Sequence, residues 1–390
     1  MGNALALPIT AAESRPSVKI VCCDAEWETL REDWNALYAA SPGASTPLDF
    51  RWLRQWWTSY AGALAGAGLR IVTLWRGSEL IGVLPLYVRR ERLGPFAIQR
   101  LGFLSTGEAE VEETCPDYLN LLCRAGEEAI CSDAAWRAIE AMSFDHMELL
   151  NIPEGALVQS AAAPRGLIRN SRGACLIADL NGGFDAYLKR LSANSRQNAR
   201  RLIREAERAG VQFELAEAAQ ADEVFVDLIR LHQARWTANG QPGAFAAPRF
   251  VAFHRAMVSH WMRDRRVVLA RMSLAKQPVA ILYGFVTGTR FDFYQSGIRM
   301  NDSCRLRSPG TLAHLLLMRA LVGRGITAYD FLSGSAPYKA RLTTSATGLL
   351  EIGLWRTTVR SVLFRSAAWG GRALQRGVRL LLLLLPGSTA

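Results

Sequence analysis

RLRSPGTLAHLLLMRALVGRG, residues 305–325, follows the alternating stretch FDFYQSG (291–297) and precedes AYDFL (328–332). Residues 308–322 carry apolar side chains at helical spacing, while both neighbours alternate as strands do. Strand, helix and strand in that order predict an α/β arrangement. Ser308-Pro309-Gly310-Thr311 opens the helix: Ser to cap it, Pro for its first position, Gly for close backbone approach. The exposed N–H groups and positive end of such a helix form an anion site, which Arg305 and Arg307 reinforce. A capped helix start explains Ser-Pro-Gly equally well by itself. The two arginines turn the reading toward phosphate.

Working outward, the chain repeats itself. PLDFRWLRQWWTSY (47–60) has helical periodicity and is followed by the strand patterns LRIVTLW (69–75) and ELIGVLPLYV (79–88). The same order returns in PRFVAFHRAMVSHWM (248–262), RVVLARM (266–272) and PVAILYGFV (278–286). Each copy is a helix opening after Pro, then two alternating strands joined by a short turn. Two copies of one α/β unit are expected, with a boundary in the Ala/Pro/Gly-rich stretch 153–173. Further helices are read at 133–142, 185–209 and 222–238, and strands at 147–152, 175–180 and 211–216.

The 390 residues allow two or three domains, and half are hydrophobic, which excludes disordered, collagenous and disulfide-scaffold classes. Seven cysteines include no CxxC pair and five histidines no HExxH, so no metal site is expected. The N-terminal sixteen residues lack the basic start and apolar run of a signal peptide, and the block Leu380–Leu385 is too short to span a bilayer. A cytoplasmic protein is expected, with the inner-membrane surface as a peripheral location. The net charge of +11 is uneven: arginines crowd both 189–208 and 356–379, whereas Glu108, Glu110, Glu112, Glu113 and Asp117 form an acidic stretch. The basic faces suit a phosphate-bearing ligand, an anionic membrane or nucleic acid. Nucleic acid is the weakest of these, since no aromatic interleaving or reading motif accompanies the charge.

Arg305-x-x-Ser308-x-Gly310 resembles the R/Q-x-x-G-x-G/A pyrophosphate loop of the GNAT acyltransferases, with Ser in place of the first Gly. AYDFLSGSAPYKARL (328–342) is similar to the D-F-x-x-G-x-x-x-Y-K signature of the CelD-like cellulose-biosynthesis acetyltransferases, a tandem GNAT branch related to the FemAB peptidyltransferases. Phe50, Trp56-Trp57, Gly82-x-x-Pro85-Leu86 and Asp117-Tyr118 also fit that branch. The resemblance spans roughly 20–356. It implies tandem GNAT-like (acyl-CoA N-acyltransferase) domains with mixed sheets flanked by helices: a degenerate one at 1–165, a cofactor-binding one at 166–356, and a basic Leu-rich helix at 357–390.

Under that resemblance Arg305, Arg307, Ser308, Pro309, Gly310 and Thr311 hold acetyl-CoA or another acyl-CoA. Asp330 positions the acceptor or acts as base, Tyr338 protonates the leaving thiolate, and Lys339 holds a phosphate or carboxylate. Asp292 and Tyr294, on one face of their strand, are further candidates for a base or a water-binding group. His232 and Trp236 share a helix face with Arg235 beside them, a candidate border of the acceptor pocket. Arg196, Arg200 and Arg204 make a basic stripe, with Arg196 placed against an anionic acceptor. Each also has a plain structural reading: a turn cap for Asp330, interdomain packing for His232 and Trp236, a solvated face for the arginines. The expected activity is acyl transfer to an amine or hydroxyl on a small-molecule or saccharide acceptor, in envelope or exopolysaccharide synthesis. A FemAB-like aminoacyl-tRNA-dependent transferase and a non-catalytic scaffold of a membrane-associated synthase are the alternatives. The tail from 357 suits a helix lying on an anionic membrane or packing back on the second domain.

Overall fold

The computed structural model describes residues 15–299, 306–334 and 336–369; Arg305 and the tail beyond residue 369 lie outside the described residues. The first half contains β1 (Ser17–Val21), α1 (Asp24–Thr29), α2 (Arg31–Ala40), α3 (Phe50–Tyr60), β2 (Gly68–Leu69), β3 (Ile71–Arg76) and β4 (Glu79–Leu84). It continues with β5 (Leu86–Leu93), β6 (Phe96–Phe103), β7 (Leu122–Cys123), α4 (Glu128–Ala141), β8 (His146–Pro153) and α5 (Ala156–Gln159). The second half begins with β9 (Ile168–Asp179), α6 (Phe184–Arg190), α7 (Ala193–Arg208), β10 (Gln212–Leu215), α8 (Ala221–Ala238) and α9 (Pro248–Trp261). Then come β11 (Val267–Leu274), β12 (Gln277–Thr287), β13 (Arg290–Ile298), α10 (Pro309–Val322), β14 (Ala328–Asp330), α11 (Pro337–Ala340) and β15 (Ser345–Trp355). A last helix, α12, occupies residues 359–369.

The repeat read from the sequence is visible as topology. In the second half β10-β11-β12-β13-β14 lie side by side, with α10 crossing between the parallel strands β13 and β14. In the first half β1-β3-β4 and β5-β6-β8 follow the same order, with α4 crossing between the parallel strands β6 and β8. The run 79–88 is expected as one strand and is two. Pro85 cannot donate to a ladder, so β4 ends before it in a four-stranded sheet and β5 starts after it in the eleven-stranded one.

A single sheet joins the halves. β8 pairs with β15, β15 pairs with β9, and β9 pairs with β14, so the final strand of the second half extends the sheet of the first. The repeated helices α3 and α9 pack on each other beneath it. Trp52 stacks with Trp261 at 6.4 Å and meets Phe253 edge-on at 4.8 Å. Asp49 caps α3 by accepting from Arg51 N–H at 2.8 Å, and its other oxygen takes Arg266 of the second half at 2.7 Å. The basic helix read as continuous over 185–209 breaks at Leu191-Ser192, where Ser192 accepts from Ser195 N–H and caps α7.

Candidate active site

The site grows out of a place where two strands part. β13 and β14 are parallel and pair over only three positions, ending at Asp292 opposite Asp330. Beyond them β13 continues to Ile298 along β12, while the chain after β14 turns away. The β12–β13 ladder skips Tyr294, which bulges between Phe293 and Gln295 and turns its ring toward the first half's core. Phe293 packs the opposite way, against His314 of α10.

Two larger cavities lie near this wedge. The first, about 560 Å³, lies between α7 and the start of α10 and is lined by Ser195, Arg201, Ser308, Thr311, Tyr338 and Arg341 among others. The second, about 600 Å³, is a cleft between the halves, walled by Glu113 and Asp117 on one side and by His232, Trp236, Phe293 and Lys339 on the other. Tyr338 borders one cavity and its neighbour Lys339 the other.

At the head of α10, Pro309 takes the first helical position as expected, but Ser308 makes no side-chain cap. Its backbone is left-handed, with φ of +47°, a conformation that favours Gly, and only its carbonyl joins the helix, accepting Leu312 N–H at 3.0 Å. The N–H groups of the first turn thus keep no cap from Ser308, and Ser308 and Thr311 of this turn line the first cavity. Arg307 is exposed beside this turn. Among the described residues, a Cβ on Gly310 would meet only Ile298, at 3.8 Å.

Tyr338 is held by stacking on His314, 5.3 Å between rings, and His314 is fixed by a 2.6 Å bond between Nδ1 and the Tyr329 hydroxyl. Burial raises the Tyr338 phenol, with the Arg235 charge opposing the rise, so the phenol keeps its proton at neutral pH. Lys339 is buried and donates to the carbonyls of Phe331 and Ser333, both at 2.8 Å. Burial lowers its ammonium, against the pull of Asp117 and Asp330. It therefore ties down the loop after β14, which the sequence reading did not foresee.

Asp330 lines neither cavity. It accepts from the Tyr118 hydroxyl at 2.5 Å and from Leu332 N–H at 2.7 Å. Asp292 is likewise buried, with Arg290 Nε at 2.6 Å. Tyr294 lines the cleft with its ring, while its hydroxyl donates to Thr114 C=O at 2.7 Å. Arg196 is turned back to the end of α6, donating to Lys189 C=O at 3.1 Å and Leu191 C=O at 3.4 Å.

His232 is 2% exposed and lines the cleft. Gln233 donates through its amide to Pro242 C=O at 2.8 Å, so its Oε1 faces His232 Nδ1 at 3.0 Å and can only accept. Nδ1 therefore carries the proton and Nε2 the lone pair, and Nε2 has no partner among the described residues. Burial lowers the imidazole below its ordinary value, which keeps it neutral. The sequence marked His232 and Trp236 but gave no sign of Gln233, whose part depends on a contact with the 240–244 turn. Asp117 and Arg201 were also missed as site residues, although Asp117 stands in the Asp117-Tyr118 pair of the resemblance and in the acidic stretch, and Arg201 in the basic helix.

The match to known families falls on this half. Residues 193–340 fit the family described as Acetyltransferase (GNAT) domain, less than half of the chain but all of α7 through α11. No curated protein matches the sequence. Among solved structures, FemX superposes with a TM-score of 0.57 at 11% identity, over 86% of this chain and 97% of that one. A conserved protein of unknown function from Bacteroides thetaiotaomicron VPI-5482 superposes with a TM-score of 0.53 at 11% identity, over 86% and 100%. The chain has this α/β fold, with mixed sheets flanked by helices and a GNAT-like arrangement, and the family match lies within its second half.

Proposed function

We propose that the chain transfers an acyl group, acetyl in the simplest case, from a coenzyme A thioester to an amine or hydroxyl acceptor. One observation carries the reading: two cavities of different character adjoin at Tyr338-Lys339. The first suits coenzyme A, with the helix start of α10, which Ser308 does not cap, for its pyrophosphate and Arg201 and Arg341 lining the same cavity. The second suits the acceptor.

Each group then has a task. The acceptor nitrogen attacks the thioester carbonyl and loses its proton to His232 Nε2, which has no hydrogen-bond partner among the described residues. Tyr338 gives its proton to the sulfur as the carbon–sulfur bond breaks, so a thiol leaves and an amide forms. Asp117, from the first half, faces the same cleft and suits the positive charge of an ammonium before it reacts.

The finer setting rests on the sequence signature at 328–342: a CelD-like enzyme of polysaccharide or envelope synthesis, with a saccharide amine or hydroxyl as acceptor. A FemAB-like transfer from aminoacyl-tRNA is the second reading, favoured by the exposed stripe Arg200, Arg204 and Arg208 on α7. Calorimetric titration with acetyl-CoA and CoA tests the first. Micromolar binding that Gly310→Trp abolishes supports it. A folded wild type that binds neither compound overturns it and leaves the tRNA-dependent reading in front.

A further inference from the structure

The helix α12 is apolar on two opposite sides. Ser361 and Phe364 are buried and Ala367 and Ala368 half-buried, a face that docks on the large sheet with Phe364 6.3 Å from Trp355. At 100° per residue, the opposite face presents Val359, Val362, Leu363, Ser366 and Trp369 in one stripe. Its apolar members are 77%, 49%, 46% and 73% exposed in that order. Arg360 and Arg365 stand at the two borders. Arg360 reaches Asp145 at 3.3 Å yet stays 63% exposed, and the Arg365 guanidinium lies over Trp355 at 5.4 Å. Single exposed apolar residues mean little, but four aligned on one helix, Trp among them, form a surface that water does not favour.

We propose that this stripe seats α12 on the anionic surface of a lipid bilayer. An apolar strip bordered by arginines is the pattern of a helix lying in the headgroup layer, where the guanidiniums reach phosphates and the indole sits at the interface. Charge selects the partner. After Glu351 the sequence holds Arg356, Arg360, Arg365, Arg372, Arg376 and Arg379 and no acid, and it continues into VRLLLLLLP (378–386). A second copy of a chain with net charge +11 would bring like charge to this face, whereas an anionic lipid surface brings the opposite. The hairpin beside the helix adds to the surface: Leu93 at its tip is 38% exposed, on the same sheet side as Glu91, which borders the groove beneath α12.

Co-sedimentation of the full chain with vesicles tests this, using phosphatidylcholine alone and phosphatidylcholine with one-third phosphatidylglycerol. The expected result is at least tenfold stronger binding to the anionic vesicles, weakened by 0.5 M salt, and at least tenfold lost in a Val362→Glu, Leu363→Glu, Trp369→Glu variant. All three positions are exposed, so the variant should melt as the wild type does. Equal binding to both vesicle types, no binding, or binding unchanged in the variant each overturns the proposal. A wild type that sediments as a dimer while the variant is monomeric assigns the stripe to a second copy instead. The readout is independent of acyl transfer.

Discussion

Asp292 and Asp330 are register partners on parallel strands, and both are buried. Arg290 is bonded to Asp292, which leaves Asp330 to face burial and the neighbouring carboxylate with a phenol and an amide N–H for support. Burial first, then Asp292, raises the Asp330 carboxyl from 3.8 to about 7. Two carboxylates this close titrate as a pair.

Stability should record this. Between pH 4 and 7 the native protein holds a proton that the unfolded chain has released, so stability falls as pH rises through that window and levels off above it. At roughly 1.4 kcal/mol per pH unit, the loss is at most on the order of 4 kcal/mol. Asp330→Asn keeps an acceptor for Leu332 N–H and removes the titration. Thermal melts at pH 5 and pH 8 should show the wild type losing several degrees more than the variant; parallel losses would contradict the assignment.

On the proposed mechanism, His232 sets the acid limb of the activity. Its base form is the working form and its pKa is lowered, so kcat/KM should fall only below pH 6.5. Gln233→Glu puts a carboxylate against Nδ1–H, favours the imidazolium, and should move that limb up by about one unit. A limb indifferent to residue 233 would remove His232 from the proton path.

Tyr338→Phe keeps the ring on His314 and deletes the hydroxyl. We expect kcat to drop about 100-fold with KM for the thioester within about twofold, the range of a lost general acid. A rise in KM with kcat intact would make Tyr338 a wall of the cavity and nothing more.

Ser308→Gly relieves a left-handed non-glycine residue at the head of α10. It should raise stability by about 1 kcal/mol in urea melts, with acetyl-CoA affinity equal or tighter. A destabilised variant would mean the Ser308 hydroxyl holds something that this geometry does not give it.

Gly297→Ala asks whether α8 must press on β13. The added Cβ would stand 2.7 Å from Leu228 C=O and 2.8 Å from Leu231 Cβ, so the helix carrying His232 must move. A loss of about 2 kcal/mol or more is expected, with activity falling further than stability.

Helices and strands with strong periodicity were legible beforehand: α3, α9, α10, β11 and β12 lie within a few residues of their expected places. Elements without such a pattern were missed. The hairpin β5–β6 carries Arg89, Arg90, Glu91 and Arg92 where a period-two pattern would need apolar residues, and β15 is interrupted by Gly348 and Gly353. The site was half legible for a similar reason. Tyr338 and Lys339 stand in a motif, whereas the His232 tautomer depends on Gln233 and Pro242, whose contact is made by a turn that no local pattern announces.

The strand order carries a further consequence for how the chain is made. β8 has β6 on one side, and its other edge is filled only by β15, which leaves the ribosome after all of β9 to β14. Through most of translation the first half must hold an open hydrogen-bonding edge at β8, available to a chaperone or to the same edge on a neighbouring nascent chain. Codon or temperature changes that slow synthesis between β9 and β15 should therefore lower the soluble yield without altering the stability of the molecules that finish.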